Sequence, residues 1–341
     1  MDEIVAHVRT LQLGDAPSKT AAAEALIDLS FDDDNHDLIA EAGGIEALIH
    51  LLRDGSAEAK LRAARALGSL AFNDDNIVLI AEAGGIAPLV ELVRDGSAEA
   101  KEKAAWALCW LAGNDDNLVL IAEARGIPPL VHLLRVGSAK VKVMAASNAA
   151  HALCSLAGND DNLVLITEAG GIPPLVDLLR NRSAGGNLKM NAAAALASLA
   201  RNDANKALIA EAGAVPPLVD LLRDGIAADA KLMAARALRQ ITRDNDANAV
   251  AVLAFFGLEP LVQLARRGRV TVAIDVDRWN DSDSDSEGAA PLAAEYDRTI
   301  VYSAGHRAKR KAALVVAALF KDCVPGEVPD DIKAATDPTF K

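Results

Sequence analysis

Asn114-Asp-Asp-Asn-Leu-Val-Leu-Ile-Ala-Glu-Ala-Arg-Gly-Ile-Pro-Pro-Leu-Val-His-Leu-Leu-Arg135 recurs, with substitutions, along almost the whole chain. With the glycine before the Ile/Val-Pro segment as a ruler, the marker falls at Gly44, Gly85, Gly126, Gly171, Ala214 and Gly257, at spacings of 41, 41, 45, 43 and 43. Periods of this length belong to helical solenoids, in which each unit buries its apolar face against its neighbours. Residues 4–35 match residues 45–76, with Gly14 on Gly55, Leu26 on Leu67 and Phe31 on Phe72, so the chain opens part-way through a unit. Seven units are expected, over 1–34, 35–75, 76–116, 117–161, 162–204, 205–247 and 248–322, with an extended tail over 323–341.

Each unit resolves into three helices. The first is short, runs through Leu-Val-Leu-Ile-Ala-Glu-Ala and stops at Gly-Gly, where a residue of positive φ closes a helix without Cβ strain. The second opens at Ile-Pro-Pro, since a proline in the first turn lacks only an N–H that would be unpaired anyway. Asp-Gly-Ser makes the next turn, and Ser56, Ser97 and Ser138 stand where an N-cap belongs. The third helix is the longest, as in Ala98 to Ala112, with Ala105, Leu108 and Leu111 at core spacing. Four extra residues in the 126 to 171 interval, at Ala139 to Ser147, predict about one added turn at the start of that third helix. Ser183-Ala-Gly-Gly-Asn187 predicts a loop extension.

Hydrophobic residues make up 51% of the chain and aromatic residues 3%, so the interior is built from Ala, Leu, Ile and Val, whose short side chains let helices approach. Solenoids grow by stacking, and 341 residues can form one elongated, monomeric domain. The Met-Asp-Glu start shows no basic segment followed by an apolar core, and no apolar run reaches the ~18 residues that span a bilayer. Cys109, Cys154 and Cys323 show no CxxC spacing and read as reduced core thiols. The expectation is a soluble protein of cytosol or nucleus, without membrane insertion. A net charge of −13 disfavours nucleic acid as partner and permits a basic protein.

The Glu-Ala-Gly-Gly-Ile-Pro-Pro-Leu-Val turn and third helices of the form Ala-Ala-x-Ala-Leu-x-x-Leu-Ala resemble the armadillo repeat, over residues 4–268 and 304–322. The units look most similar to those of plant U-box ubiquitin ligases and other plant armadillo proteins, and more distantly to importin α and β-catenin. The resemblance implies an all-α, right-handed superhelix whose third helices line a concave groove for extended segments of partner proteins.

Aligned on Leu26, Leu67, Leu108, Leu153, Leu196, Leu238 and Val316 of the third helices, the column two places earlier reads Glu24, Arg65, Trp106, His151, Ala194, Arg236 and Leu314. The column two places later reads Asp28, Ser69, Trp110, Ser155, Ser198, Gln240 and Ala318. Four residues apart, the two columns share a helix face. Arg65, Ser69, Trp106, Trp110, His151, Ser155, Ser198, Arg236 and Gln240 are therefore the candidate groove residues. Trp106 and Trp110 read as a paired aromatic ledge for aliphatic or cationic stems, or else as side chains packed on a neighbouring helix; aromatic residues and Arg are enriched at binding hot spots. Arg65 and Arg236 would select acidic groups. In importin α the resemblance implies a Trp/Asn ladder; here only Trp106 matches, and no unit has Asn at the second position.

The last unit is interrupted by a 36-residue insertion, about 269–304, with the acidic core Asn280 to Gly288. Val270 to Val276 alternates, and with Thr299 to Ser303 it suits either a small hairpin or irregular loop. Ser282 and Ser284, each followed three places on by an acidic residue, are candidate phosphorylation sites. The Asp275 to Glu287 segment could fold back onto Arg236. Lys309-Arg-Lys311 reads as helix surface. The acidic runs Asp32 to Asn35, Asp74 to Asn76, Asp115 to Asn117 and Asp160 to Asn162 lack a calcium loop's spacing, and capping against the helix dipole accounts for them. No catalytic constellation, phosphate loop, cofactor motif or metal-ligand spacing is present. The expected function is a non-enzymatic protein-binding scaffold; the alternatives are the substrate-recognition subunit of a ubiquitin ligase or a nuclear transport adaptor.

Overall fold

A computed structural model describes residues 1–135, 140–181, 184–224, 227–243, 245, 247–248 and 251–252. Among them are seventeen helices and no strand. In order these are α1 (Asp2–Leu13), α2 (Ala16–Leu29), α3 (Asp34–Glu41), α4 (Gly44–Asp54), α5 (Ala57–Leu70), α6 (Asp74–Glu82), α7 (Ile86–Asp95), α8 (Ala98–Leu111) and α9 (Asp115–Glu123). There follow α10 (Ile127–Leu133), α11 (Lys140–Leu156), α12 (Asp160–Glu168), α13 (Ile172–Arg180), α14 (Gly186–Leu199), α15 (Asp203–Glu211), α16 (Val215–Asp224) and α17 (Ala228–Thr242). The expected hairpin, the acidic insertion with Ser282 and Ser284, the Lys309-Arg-Lys311 helix and the tail lie outside the described residues.

The chain divides into two compact units, residues 1–174 and from 175 onward. In the first, α3, α6, α9 and α12 are first helices, α4, α7 and α10 second helices, and α5, α8 and α11 third helices, while α1 and α2 take second and third places. The third helices pack as a continuous layer, α2 on α5, α5 on α8 and α8 on α11, with the second helices behind them. In the second unit α14 packs on α17, which α16 backs in turn.

That layer is held by small and aliphatic side chains. Ala63, Ala64, Leu67, Ala104, Ala105, Ala107, Leu108 and Leu111 are wholly buried. Each large one contributes on the order of 1.5–3 kcal/mol by leaving water, while each alanine keeps neighbouring backbones close. The lengthened third helix is α11, 17 residues against 14 in α5 and α8, as the four added residues predict. Ser56 and Ser97 cap as expected, each accepting an N–H at 3.2 Å, from Ala59 and Ala100. Ser138 lies outside the described residues, and of the expected loop at 183–187, Gly186 and Asn187 already belong to α14.

The acidic runs stand at helix starts as expected, and Asp32 Oδ1 accepts from Asp34 N–H at 3.2 Å, but in the later runs the aspartates are not themselves the caps. The cap is the asparagine before the Asp pair: Asn114 Oδ1 accepts from Asp116 and Asn117 N–H at 3.0 and 3.2 Å, and Asn73, Asn159 and Asn202 act alike. The two aspartates occupy the first turn, where the dipole favours them. The asparagine that ends the run is buried and does other work. Asn117 Nδ2 donates to Leu111 O at 3.0 Å, at the end of the preceding third helix, and to Ile77 O at 3.5 Å in the preceding first helix. Asn76 donates likewise to Leu70 O and His36 O, and Asn248 to Ile241 O and Lys206 O. Asn162 reaches Leu118 O at 3.2 Å. These side chains staple each first helix to the unit before it.

Candidate binding surface

The layer of third helices presents the two columns read from the sequence. On α8, Trp106 and Trp110 are half-buried, one turn apart. Trp106 owes its seat to Gly68 of α5: a Cβ there would stand 2.5 Å from Trp106 Cε3, so only glycine leaves room for the indole. The aromatic ledge and the packed side chain are thus both present in the same residue.

Phe72, which sequence reasoning passed over, completes the cluster. It follows α5 in the turn toward α6 and is 51% exposed. Its ring centroid lies 4.2 Å from that of Trp110 and 5.6 Å from that of Trp106, both tilted. Such aromatic pairs add about 0.5–1.5 kcal/mol beyond area burial. The signal was available: Phe31 and Phe72 stand where Gly113 and Gly158 stand in later units, and an exposed Phe in a turn has no core to fill. Beneath the cluster, Trp110 Nε1 is buried and finds no acceptor among the described residues.

His151 on α11 meets the edge of Trp110 at a centroid distance of 6.5 Å. Desolvation on that side holds its pKa below the ordinary value, so the neutral ring is favoured. Ser155, one turn on, is half-buried. Arg65 is not a free cation: its Nη1 lies 3.5 Å from Glu24 Oε1, and Arg62 Nη1 lies 2.8 Å from Glu24 Oε2. Ser69 is only 8% exposed, and its Oγ accepts a hydrogen bond from Ser30 Oγ at 2.8 Å, so it is spent on joining units. Ser198, Arg236 and Gln240 belong to the second unit, on α14 and α17, with Arg236 exposed.

Behind the tryptophans, burial pushes the Cys109 thiol up to about 12, with Cys154 nearby adding to it. A thiol held protonated that firmly is a poor nucleophile. Among the described residues no three carboxylate, imidazole or thiol groups converge on a metal-sized site, and no single helix is long and apolar enough to cross a membrane.

A stack of three-helix units exposing one layer of third helices defines a helical repeat solenoid. The Armadillo/beta-catenin-like repeat matches residues 32–72, 73–112, 159–201 and 202–243, leaving out the stretch that carries the lengthened α11. The chain is similar to a computationally designed armadillo repeat protein for modular peptide recognition, with 31% identity, 70% of this chain and 99% of that chain covered, and a TM-score of 0.62. It is also similar to a designed armadillo repeat protein solved in complex with the peptide (KR)4, with 29% identity, 70% and 99% covered, and a TM-score of 0.61. An engineered protein at 31% identity, 71% and 98% covered, has a TM-score of 0.65. No curated protein matches the chain. The chain belongs to the armadillo-repeat family.

Proposed function

We propose that the protein is a binding scaffold whose third-helix face in residues 1–174 holds an extended segment of a partner protein. The observation that carries this reading is the Phe72, Trp106 and Trp110 cluster, three half-open rings gathered on one face, in a chain that is only 3% aromatic. Such rings take aliphatic or cationic stems by contact and cation–π attraction. The complex of a similar designed protein with (KR)4 supports a peptide as the ligand class. A net charge of −13 favours a basic segment over an acidic one. With Arg65 engaged by Glu24, selection of acidic groups falls to Arg236 in the second unit. Cytosol or nucleus is the proposed location.

The test is a pull-down from the source cell with wild type and a Trp106→Ala/Trp110→Ala variant of equal helical content, each capture identified by mass spectrometry. Partners lost only from the variant support the reading, and identical partner sets overturn it.

A further inference from the structure

A second face recurs in the same unit and carries the opposite kind of variation. On α6, α9 and α12 the side chains of Val78 and Leu79, Val119 and Leu120, and Val164 and Leu165 are each between 40% and 47% exposed. The repeat leaves them outside because the neighbouring positions, Ile77 and Ile80, Leu118 and Ile121, and Leu163 and Ile166, already fill the core. Each pair is bracketed at i−3 and i+3 to i+4 spacing by exposed carboxylates: Asp75 and Glu82, Asp116 and Glu123, Asp161 and Glu168. At 100° per residue these four positions share one arc of the helix.

The pattern is confined to three consecutive units. In the unit before, the corresponding pair is Asp37 and Leu38, and in the unit after it is Ala207 and Leu208, with Ala204 in place of the first carboxylate. Helices α6, α9 and α12 contain no Lys or Arg, and the first cation met beyond α9 is Arg125 past its end. The asparagine staples, Asn117 to Ile77 O and Asn162 to Leu118 O, tie the three helices side by side.

We infer that this face is a docking surface for a basic amphipathic helix of a partner protein. Two features of the face specify the occupant. The charged side chains of the three helices are all carboxylates, with Arg53 and Arg125 standing only at their C-terminal ends, so the complement is cationic. Packed helices stand roughly 8–10 Å apart, and a helix rises about 10.5 Å over seven residues. One apolar residue per heptad therefore meets one Val/Leu pair per unit, with lysine or arginine on the flanks reaching the carboxylates. The surface is separate from the third-helix face and does not depend on the reading given for it.

The test uses the full chain and fluorescence anisotropy with two labelled probes: a synthetic helix of about 15 residues, leucine at heptad positions and lysine elsewhere, and the extended octapeptide (Lys-Arg)4. The docking variant is Val119→Ser/Leu120→Ser/Val164→Ser/Leu165→Ser, all exposed positions, with helical content and Tm checked. Expected is binding of the leucine/lysine helix by the wild type that is weakened about tenfold or more in the variant, with binding of the octapeptide unaffected. Equal affinity of wild type and variant for the helix, or an octapeptide weakened as much as the helix, overturns the proposal, because charge alone would then explain the binding. Sedimentation of wild type and variant reads a further outcome: self-association lost on serine substitution would make a second copy of this chain the occupant, and would likewise overturn it.

Discussion

Arg125 holds a φ of 57° at a place where Gly43, Gly84, Gly170 and Gly213 hold 79°, 74°, 73° and 75°. The turn between first and second helices requires the left-handed region, and an L side chain there strains against the following carbonyl by roughly 1–2 kcal/mol. Glycine has a second advantage at two of these turns, where an arginine of the preceding second helix lies against it. Arg53 Nη2 donates to Ala83 O and Gly84 O at 3.3 and 3.0 Å, and Arg180 Nη2 to Ala212 O and Gly213 O at 2.8 and 3.1 Å. The equivalent Arg94 pairs instead with Asp95 at 2.9 Å. Arg125→Gly is expected to stabilise the protein by about 1 kcal/mol, read from the midpoint of urea unfolding. An unchanged or lower midpoint would mean that Arg125 makes a compensating contact of its own.

At the scale of the element, the first helices show where sequence reading stopped short. Asp-Asp-Asn was legible as a helix start, and its aspartates do sit in the first turn. The division of labour between Asn114 and Asn117 was not, because the two differ only in what lies behind them, and a sequence does not show which of two amides is buried. The distinction has a measurable consequence. Asn114→Ala removes a cap, worth about 1 kcal/mol. Asn117→Ala removes two buried hydrogen bonds, to Leu111 O and to Ile77 O, worth about 1 kcal/mol each. Thermal unfolding is expected to rank Asn117→Ala as the more damaging of the pair, and the reverse order would restore the capping explanation. The aromatic cluster divides along the same line. Trp106 and Trp110 could be placed on one face by spacing alone, whereas Phe72 joins them from a neighbouring unit's turn, and Ser69 leaves the face because Ser30 claims it across units.

Over the whole molecule the period carried most of the fold: spacings of 41 to 45 residues with Gly-Gly punctuation located nearly every helix in the described residues. What the period could not report was unequal support. In residues 1–174, α8 is clasped between α5 and α11 and backed by α7, whereas α1 contacts α2, α3 and α4 alone among the principal helix pairs. Stability in such arrays is close to a sum of unit and neighbour terms, and local opening follows contact density. Amide hydrogen exchange is therefore expected to be slowest in α8 and fastest in α1. Uniform protection across the two would show a single cooperative block.

The asparagine staples have a bearing on how such a chain can change over generations. Their acceptors are main-chain carbonyls, which every residue possesses: Asn76 takes that of a histidine, Asn117 that of an isoleucine, Asn248 that of a lysine. This joint asks nothing of the side chain it grips. A duplicated or deleted unit would find the same fitting on whichever neighbour it inherited, so the array can lengthen or shorten by whole units while the outward faces drift toward new ligands.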